Sequence, residues 1–211
     1  MTSRTVPAGV ATPPRPKRRD DQRDRILSVS RSILEKEGAK ALTIRRLAEA
    51  IDRTQPAIYL HFSSKESLLA QLVIEGFSAL SEALTAASKS KRGSPLLAFS
   101  KAYIAFGTSK PHLYDAMFVG ETTITFAAGE HTPAAARGAF DTLRNICRAA
   151  APKSAKGADD ETRTEVYWAA LHGLVMLANN HRLRVGVGFD ISRLRALVAL
   201  IESSVVNGDA I

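Results

Sequence analysis

Residues 43–69 have the sequence TIRRLAEAIDRTQPAIYLHFSSKESLL, whose pattern predicts a helix, a tight turn and a second helix. Thr43 is a good N-cap for the first of these helices, which is expected to end near Ala50. The second helix covers Thr54 to Leu60, with the Thr54 hydroxyl as its cap and a proline in its first turn. This arrangement suits DNA, because the second helix can lie in the major groove while the first braces it. An ordinary helical hairpin has the same pattern, so the sequence pattern alone does not yet distinguish the two interpretations.

Helices on both sides of this pair complete a three-helix unit. Apolar residues recur at helical spacing from Ile26 to Leu34, which predicts a core-forming first helix. Acidic residues from Asp20 onward suit its N-terminal end, and Gly38 is expected to stop it. Ser63 and Glu66 have the spacing of a capping box, which predicts that a further helix begins there.

The positive charge of the chain is concentrated near the N-terminus. The formal net charge is +8, and residues 1–70 hold 14 Lys/Arg against 8 Asp/Glu, whereas residues 71–211 hold 15 against 13. A basic first third indicates an anionic partner, nucleic acid before membrane, although a solvated tail without function has the same composition. Residues 1–19 are rich in Pro, Gly and Arg, so we predict a disordered basic tail that can lie along DNA.

Polar side chains cluster around the predicted second helix of the pair. Base recognition needs polar groups on its exposed face, and phosphate anchoring needs hydroxyls, cations and free amides around it. The residues that supply such groups are Arg45, Arg46, Thr54, Gln55, Tyr59, His61 and Lys65.

Residues 20–70 resemble the DNA-binding signature of the TetR family of transcriptional regulators. Thr43 and Arg45 stand where the signature opens the first helix of the pair, and Leu47-Ala48 follow. The block I-Y-x-H-F-x-x-K-E-x-L-L then occupies residues 58–69. This spacing is long and uneven, so chance agreement is remote.

The resemblance implies roles for individual residues. Thr43, Tyr59 and Lys65 would contact phosphates, and the segment from Thr54 through Pro56 to Tyr59 would meet base edges. These assignments come from the family signature and remain expectations for this chain.

The chain departs from the family pattern in the turn. Asp52-Arg53 stand where the family usually has a small residue, often Gly, followed by Val. Asp tolerates the left-handed conformation better than most residues, so the turn is expected to survive. Arg53 is expected to point outward and add a phosphate contact. His61 either contacts DNA or has a structural role, capping a helix or packing against its neighbours.

The rest of the chain is also helical in pattern. Helices are predicted at roughly 95–108, 111–119, 134–150, 161–183 and 190–206, and no alternation is long enough for a sheet. We therefore predict an all-α fold with an N-terminal three-helix helix-turn-helix domain and a C-terminal helical ligand-binding and dimerisation domain. The expected division is 1–19 for the disordered tail, 20–67 for the DNA-binding domain and 68–211 for the regulatory domain.

A second resemblance covers roughly residues 95–200. Residues 110–118 (KPHLYDAMF) and 168–173 (WAALHG) look like the regulatory domain called WHG. Aromatic residues recur at helical spacing in this region. They either line an apolar cavity or pack in the hydrophobic core, and packing in the core is the more common case for aromatic residues at this spacing. The candidate ligand-pocket residues are Phe99, Tyr103, Phe106, Leu113, Met117, Phe118, Phe140, Trp168, His172 and Met176.

The last two predicted helices carry apolar faces that suit a homodimer. Paired with their copies, they would form a four-helix bundle. A two-fold dimer would present two recognition helices to half-sites about 34–36 Å apart, or a multiple of that, on a palindromic operator. The candidate interface residues are Leu174, Leu177, Leu194, Leu197, Val198 and Ile201.

Nothing in the sequence supports catalysis or metal binding. The five histidines show no metal-ligand spacing, and the single cysteine, Cys147, forms neither a disulfide framework nor a Cys-rich zinc site. Residues 186–188 (GVG) are too short for a phosphate-binding fingerprint. We predict no cofactor, no metal and no enzymatic activity. Since no signal peptide or membrane-length apolar run is visible, a cytoplasmic protein is expected.

The predicted function is therefore a ligand-responsive transcription regulator. Its simplest form is a repressor that a small apolar or amphipathic molecule releases from its operator. One alternative is a DNA-binding regulator without a small-molecule ligand, controlled by a protein partner or acting architecturally. Another is a dimeric interaction module that has lost DNA binding.

Overall fold

The computed structural model describes residues 17–89, 93–119, 134–150, 159–183, 191–201 and 203. All regular structure in these ranges is helical, which confirms the predicted all-α class. The helices are α1 (Lys17–Glu37), α2 (Ile44–Ala50), α3 (Gln55–Tyr59), α4 (Lys65–Ser88), α5 (Pro95–Ser109), α6 (Pro111–Phe118), α7 (Ala134–Ala150), α8 (Asp160–Asn179) and α9 (Ile191–Ile201).

Helices α1 to α3 and the start of α4 form the predicted helix-turn-helix unit. Ile26 and Leu34 of α1, Leu47 of α2 and Ile58 of α3 are each at most 1% exposed. Burial of these side chains is what holds short helices such as α2 and α3 in place, because helices of their length are unstable in isolation. The unit therefore forms around a core that the first three helices share with α4.

The first helix begins earlier than the sequence predicted. Residues 17–19 lie in the first turn of α1, so the boundary of the predicted tail at residue 19 is wrong. The reason is that these basic residues precede Asp20 without a proline or glycine after Pro16, and the helix can extend back through them. The disorder predicted for residues 1–16 concerns a segment outside the described residues. Gly38, with φ +83°, ends α1 as predicted.

Two of the three predicted caps differ from the structure. Thr43 caps α2, because its Oγ1 accepts a hydrogen bond of 3.2 Å from the Arg46 amide. Thr54 precedes α3 in an extended conformation, but its hydroxyl makes no capping hydrogen bond. The capping box belongs to Ser64 and Ser67, with both reciprocal bonds at 3.1 Å, and not to Ser63 and Glu66.

The register of this box has a physical reason. Ser63 is followed three positions later by Glu66, and Ser64 by Ser67, so either serine fits the pattern of a capping box. Because the helix begins at Lys65, the residue with extended backbone at the cap is Ser64. Glu66 consequently lies in the first turn of α4. Hydrogen bonds from its own amide and from Ser64 hold the pKa of the Glu66 carboxyl below its usual value, as the positive end of a helix favours a carboxylate.

The remaining helices pack around α4 and α5. Helix α5 lies between α4 and α8, and α7 packs across α4 and α8. Among the described helices, α4 alone is long and apolar enough to cross a membrane by length and composition. Its inner face is buried in the core from Leu68 to Leu84, as in the central helix of a bundle.

Helix α8 ends before the predicted limit of residue 183. His181 adopts a left-handed φ of 53°, and the Arg182 amide bonds back to the Leu177 carbonyl at 2.8 Å. This pattern is a Schellman motif, which terminates a helix. The end of α9 falls at Ile201, and most of the residues after it lie outside the described ranges.

Candidate nucleic-acid interface and regulatory core

The short helix α3 presents a polar and aromatic face outward. Ile58 is fully buried and anchors the helix from below, whereas Gln55, Pro56 and Tyr59 are exposed, Tyr59 by 51%. Thr54, immediately before the helix, is exposed as well. The structure thus brings together the predicted base-contacting residues on one accessible surface.

The turn between α2 and α3 is closed by Asp52. This residue has a φ of 55°, and the Arg53 amide donates to the Ala48 carbonyl at 2.9 Å while the Asp52 amide donates to Glu49 at 3.2 Å. These two bonds form a Schellman motif with Asp52 in the left-handed position. The expectation that Asp52 would sustain the turn agrees with this geometry.

Three arginines around the turn have different surroundings. Arg53 is exposed, and its Nη1 donates to the Asp52 carbonyl at 2.7 Å. The side chain of Arg45 is 79% exposed and pairs with Glu49 one turn along at 3.0 Å. Arg46 instead holds Glu37 of α1 in a two-point ion pair, with one N–O distance of 2.8 Å. Arg45 and Arg53 are therefore accessible cations, whereas Arg46 ties α2 to α1.

Groups suited to phosphate lie at the starts of α2 and α4. The Thr43 hydroxyl accepts a bond from Arg46, which leaves its own proton for donation to an external acceptor. Lys65 is the first residue of α4 and is half-buried. Both residues stand at helix N-termini, where amides and the helix dipole favour anions.

Two residues that follow α3, Phe62 and His61, pack inward to different degrees. Phe62 is 5% exposed, and the Arg23 guanidinium lies 5.1 Å from its ring centroid. His61 is half-buried, and its amide bonds to the Ile58 carbonyl at 2.9 Å. Phe62 belongs to the core, and a DNA contact by His61 stays a prediction.

The predicted pocket residues lie together in the centre of the C-terminal region. The buried ones are Phe99, Tyr103, Leu113 and Met117, and the half-buried ones are Phe106, Phe118, Phe140, Trp168, His172 and Met176. Most of them pack as core, which is the commoner outcome for such stripes. Four of them, Phe99, Tyr103, Phe140 and Trp168, also line a small cavity between α4, α5, α7 and α8.

This cavity is apolar and small. Its volume is about 10 Å³, which is the space that one water molecule needs. Leu113, Met117 and His172 do not line it; they lie nearer α6, where Gly76 of α4 leaves room for Met117. In this conformation the cavity is too small for any larger molecule.

A chain of hydrogen bonds runs through this core beside the cavity. The Trp168 indole N–H donates to the Tyr103 hydroxyl at 2.8 Å, and Tyr103 and Tyr114 share a bond of 2.8 Å. The Tyr114 hydroxyl lies 2.6 Å from Nδ1 of His172. We call these four residues the Trp–Tyr–Tyr–His chain.

Burial keeps the Trp–Tyr–Tyr–His chain uncharged near neutral pH. It raises the pKa of Tyr103 to about 12 and raises the pKa of Tyr114 further. Burial also lowers the pKa of His172. Each of these four side chains forms a hydrogen bond with another of the four, which offsets the cost of desolvation.

Sequence reasoning missed two tyrosines of this core. Tyr114 and Tyr167 are both fully buried, and Tyr167 shares a 2.9 Å hydrogen bond with Ser100. Tyr114 stands inside the segment that resembles the WHG domain, so that resemblance was the available signal. The partners are far apart in sequence, and the pattern of one helix does not reveal them.

Helix α6 connects this core to the DNA-binding unit. Lys110, just before α6, pairs with Glu35 of α1 at 3.4 Å. The next turn places His112 against Gly38, since a Cβ added at Gly38 would lie 3.4 Å from the His112 ring. Tyr114 of the same helix belongs to the Trp–Tyr–Tyr–His chain, so α6 contacts both regions.

The predicted interface residues divide into two groups. Leu177 is 43% exposed, and Leu174 and Leu197 are half-buried. Val198 is 1% exposed and belongs to the core of its own chain, and Ile201 packs against that core. The side chain of Leu194 lies outside the described residues. Val166 of α8 and Leu200 of α9 are further exposed apolar side chains.

The described ranges contain no group of three His, Cys, Asp or Glu side chains that could hold a metal ion. Cys147 is buried in α7.

Two family models match this chain. Residues 26–72 match the model of bacterial regulatory proteins of the tetR family. Residues 96–200 match the model of the tetracyclin repressor-like C-terminal domain. No curated protein matches the chain.

Solved structures show the same fold at low sequence identity. A protein with unknown function from Rhodococcus sp. RHA1 has a TM-score of 0.71 and 23% identity over 88% of this chain and 95% of that one. A bacterial regulatory protein in the tetR family from Rhodococcus RHA1 has a TM-score of 0.62 and 21% identity over 89% of this chain and 98% of that one. The TetR family transcriptional regulator PfmR from Thermus thermophilus has a TM-score of 0.60 and 20% identity over 88% of this chain and 96% of that one.

Proposed function

This chain belongs to the TetR family of transcriptional regulators, and we propose that it is a homodimeric repressor that a small molecule releases from a palindromic operator. As a member of this family it is a DNA-binding regulator and not an enzyme. The repression, the operator symmetry and the ligand response are the parts that we propose.

One observation carries the proposal: α3 is anchored by Ile58 yet exposes Gln55, Pro56 and Tyr59. A recognition helix needs this combination, because its position must be rigid while its outer side chains meet base edges. Thr43 and Lys65 flank it with a hydroxyl and a cation for phosphates. We assign DNA contacts to these residues and to Arg45, Arg53, Thr54 and His61.

A second copy of the chain would double this surface. Val166 and Leu177 of α8 and Leu200 of α9 are exposed apolar side chains, and their burial against a second copy would remove them from water, which supports an interface between two copies. A two-fold axis there would place two α3 helices on half-sites about 34–36 Å apart, or a multiple of that. A regulator of this kind acts where the chromosome lies, so we propose a cytoplasmic location.

We divide the chain functionally into a DNA-binding part (20–67) and a regulatory part (68–211). The division falls inside the first turn of α4, so one rigid helix belongs to both parts. Helix α6 supplies the second connection through Lys110 and His112. A ligand that displaces the Trp–Tyr–Tyr–His chain would move α6 and, with it, α1. Its effect is limited by its difference in affinity for the two conformations, typically about 1–3 kcal/mol.

The small volume of the cavity between α4, α5, α7 and α8 favours one alternative, a DNA-binding regulator without a small-molecule ligand. The two possibilities differ in heat unfolding, because a ligand that binds the folded chain raises its melting temperature. A screen of metabolites from the source organism in which none raises the melting temperature would favour the alternative.

The DNA contacts are tested by variants measured on bound fragments selected from the source genome. Lys65→Ala should weaken binding to every sequence and reduce the slope of log affinity against log salt by about 1. Gln55→Ala should instead change the sequence preference. Lys101→Ala, which removes a lysine from α5 in the regulatory part, is the control. Unchanged affinity and salt slope in Lys65→Ala would show that the phosphate assignment is wrong.

A further inference from the structure

We propose that Leu60 is a specificity-determining residue that contacts the methyl group of a thymine in the major groove, so that each half-site of the operator carries a thymine at the position that Leu60 meets. This inference rests on the proposed insertion of α3 into the major groove and names one element of the sequence that the helix recognises. Leu60 lies outside the contact residues that the family resemblance implies.

Leu60 is the most exposed large apolar side chain among the described residues, at 72%. Its neighbour Tyr59 is 51% exposed, and Pro56, four residues before Leu60, is exposed as well. Residues four apart lie on the same face of a helix, so Pro56 and Leu60 form an apolar row along the outer surface of α3. A single exposed leucine is ordinary on a protein surface, but this row lies on the helix that is expected to meet the bases.

The backbone at Leu60 is held in place from both sides. Its φ of −65° and ψ of −20° continue the helix, and its amide donates to the Pro56 carbonyl at 3.2 Å. Ile58 is fully buried and Phe62 is 5% exposed, so the residues two positions before and after Leu60 are both anchored in the core. Since successive helical residues are about 100° apart, Leu60 projects away from Ile58. This fixed position limits the conformational entropy that binding would cost.

The chemistry of Leu60 selects one partner on duplex DNA. A leucine side chain neither donates nor accepts a hydrogen bond, so it cannot replace the cations, hydroxyls and amides that bind phosphates. In the major groove the base pairs present donors, acceptors and a single apolar group, the C5-methyl group of thymine. Contact with that methyl group removes apolar surface of both partners from water. At any other base the same leucine would cover polar groups without bonding to them, which is unfavourable.

The test replaces the thymines of a bound DNA fragment one at a time with deoxyuridine, which pairs as thymine does but lacks the methyl group. The fragment is one that the full-length protein selects from the source genome, and affinity is measured by fluorescence anisotropy at fixed salt. At one position in each half-site, the wild type should bind the deoxyuridine fragment about fourfold more weakly, as expected for one group of methyl size left unburied. In Leu60→Ala the difference at that position should disappear.

Ile74→Ala is the matched control, because it shortens an exposed aliphatic side chain of α4. This variant should keep the fourfold difference. Thermal unfolding of Leu60→Ala should resemble that of the wild type, since a side chain that is largely exposed contributes little to folding. A lost preference for thymine would then report the missing contact and not a disturbed helix.

Three outcomes would overturn the inference. One is that no thymine shows a dependence on its methyl group, and another is that the dependence is unchanged in Leu60→Ala, which would assign the methyl contact to another residue. The third is that Leu60→Ala binds every fragment more weakly by the same factor, which would place Leu60 against the DNA backbone. In all three cases the wild type still binds its operator and the proposed regulator stands. A wild type without sequence-specific binding would instead refute the proposed function, and the role of Leu60 with it.

Discussion

Asp52 shows how a single residue sustains the DNA-binding turn at some cost. Its φ of 55° is left-handed, a conformation that Asp tolerates but glycine adopts without strain. Asp52→Gly should therefore raise the free energy of unfolding by about 0.5–1 kcal/mol, measured by urea denaturation, while DNA affinity is unchanged. Asp52→Ala should lower it, because alanine has neither the freedom of glycine nor the short polar side chain of Asp. If both variants were equally stable, the backbone strain at this position would be negligible.

His172 makes stability depend on pH. Burial lowers its pKa, so the unfolded chain takes up the proton more readily than the folded one. The stabilising effect of neutral His172 is present above the unfolded pKa, about 6.5, and is lost as pH falls from there toward the folded pKa. We expect the free energy of unfolding to fall as the pH is lowered below about 6.5, and to fall less in His172→Gln. The exposed His181→Asn is the control, and an equal pH dependence in His172→Gln and the wild type would contradict the assignment.

At the scale of elements, the sequence predicted the helices well and their caps less well. Helix periodicity located α2 to within a residue, because Leu47 and Ala48 face a core and Thr43 is an unambiguous cap. The start of α4 was shifted by one residue, since Ser63 and Ser64 both satisfy the local pattern and only the fold selects between them. Phe62, just before these serines, packs with the guanidinium of Arg23 5.1 Å from its ring centroid, a contact between distant segments that the local pattern does not reveal.

Gly107 governs how closely α5, α6 and α8 approach. A Cβ at this position would lie 2.5 Å from Cγ1 of Val175 and 3.0 Å from the ring of Tyr114, and both neighbours are fully buried. Gly107→Ala should therefore lower the free energy of unfolding by about 1–2 kcal/mol despite the better helix propensity of alanine. Adding Val175→Ala should recover part of the loss that the contact causes.

The matched control for this prediction is Gly138→Ala in α7. A Cβ there would lie 3.6 Å from the Ser81 hydroxyl, an ordinary contact, so this variant should be as stable as the wild type or more stable. Equal behaviour of the two glycine variants in thermal unfolding would show that close helix packing does not require Gly107.

The arrangement of the whole molecule was the least predictable part. Periodicity shows which face of a helix is buried, but it does not show which helix that face meets. The Trp–Tyr–Tyr–His chain joins α8, α5 and α6 across sequence separations of 65, 11 and 58 residues. Val198, predicted as an interface residue, is buried within its own chain for the same reason. The sequence identified the apolar residues of the last two helices without separating core from exposed surface.

The exposed apolar surface of α8 permits a direct test of the dimer. Leu177 is 43% exposed on this surface, and Ile74 of α4 is 40% exposed elsewhere. If two copies meet through α8 and α9, Leu177→Asp places an unpaired charge in the interface, whereas Ile74→Asp places one in solvent. Sedimentation should show Leu177→Asp as a monomer with DNA affinity reduced by roughly tenfold or more, because one half-site contact is lost. Ile74→Asp should stay dimeric and bind normally, and the reverse result would move the interface from α8 to α4.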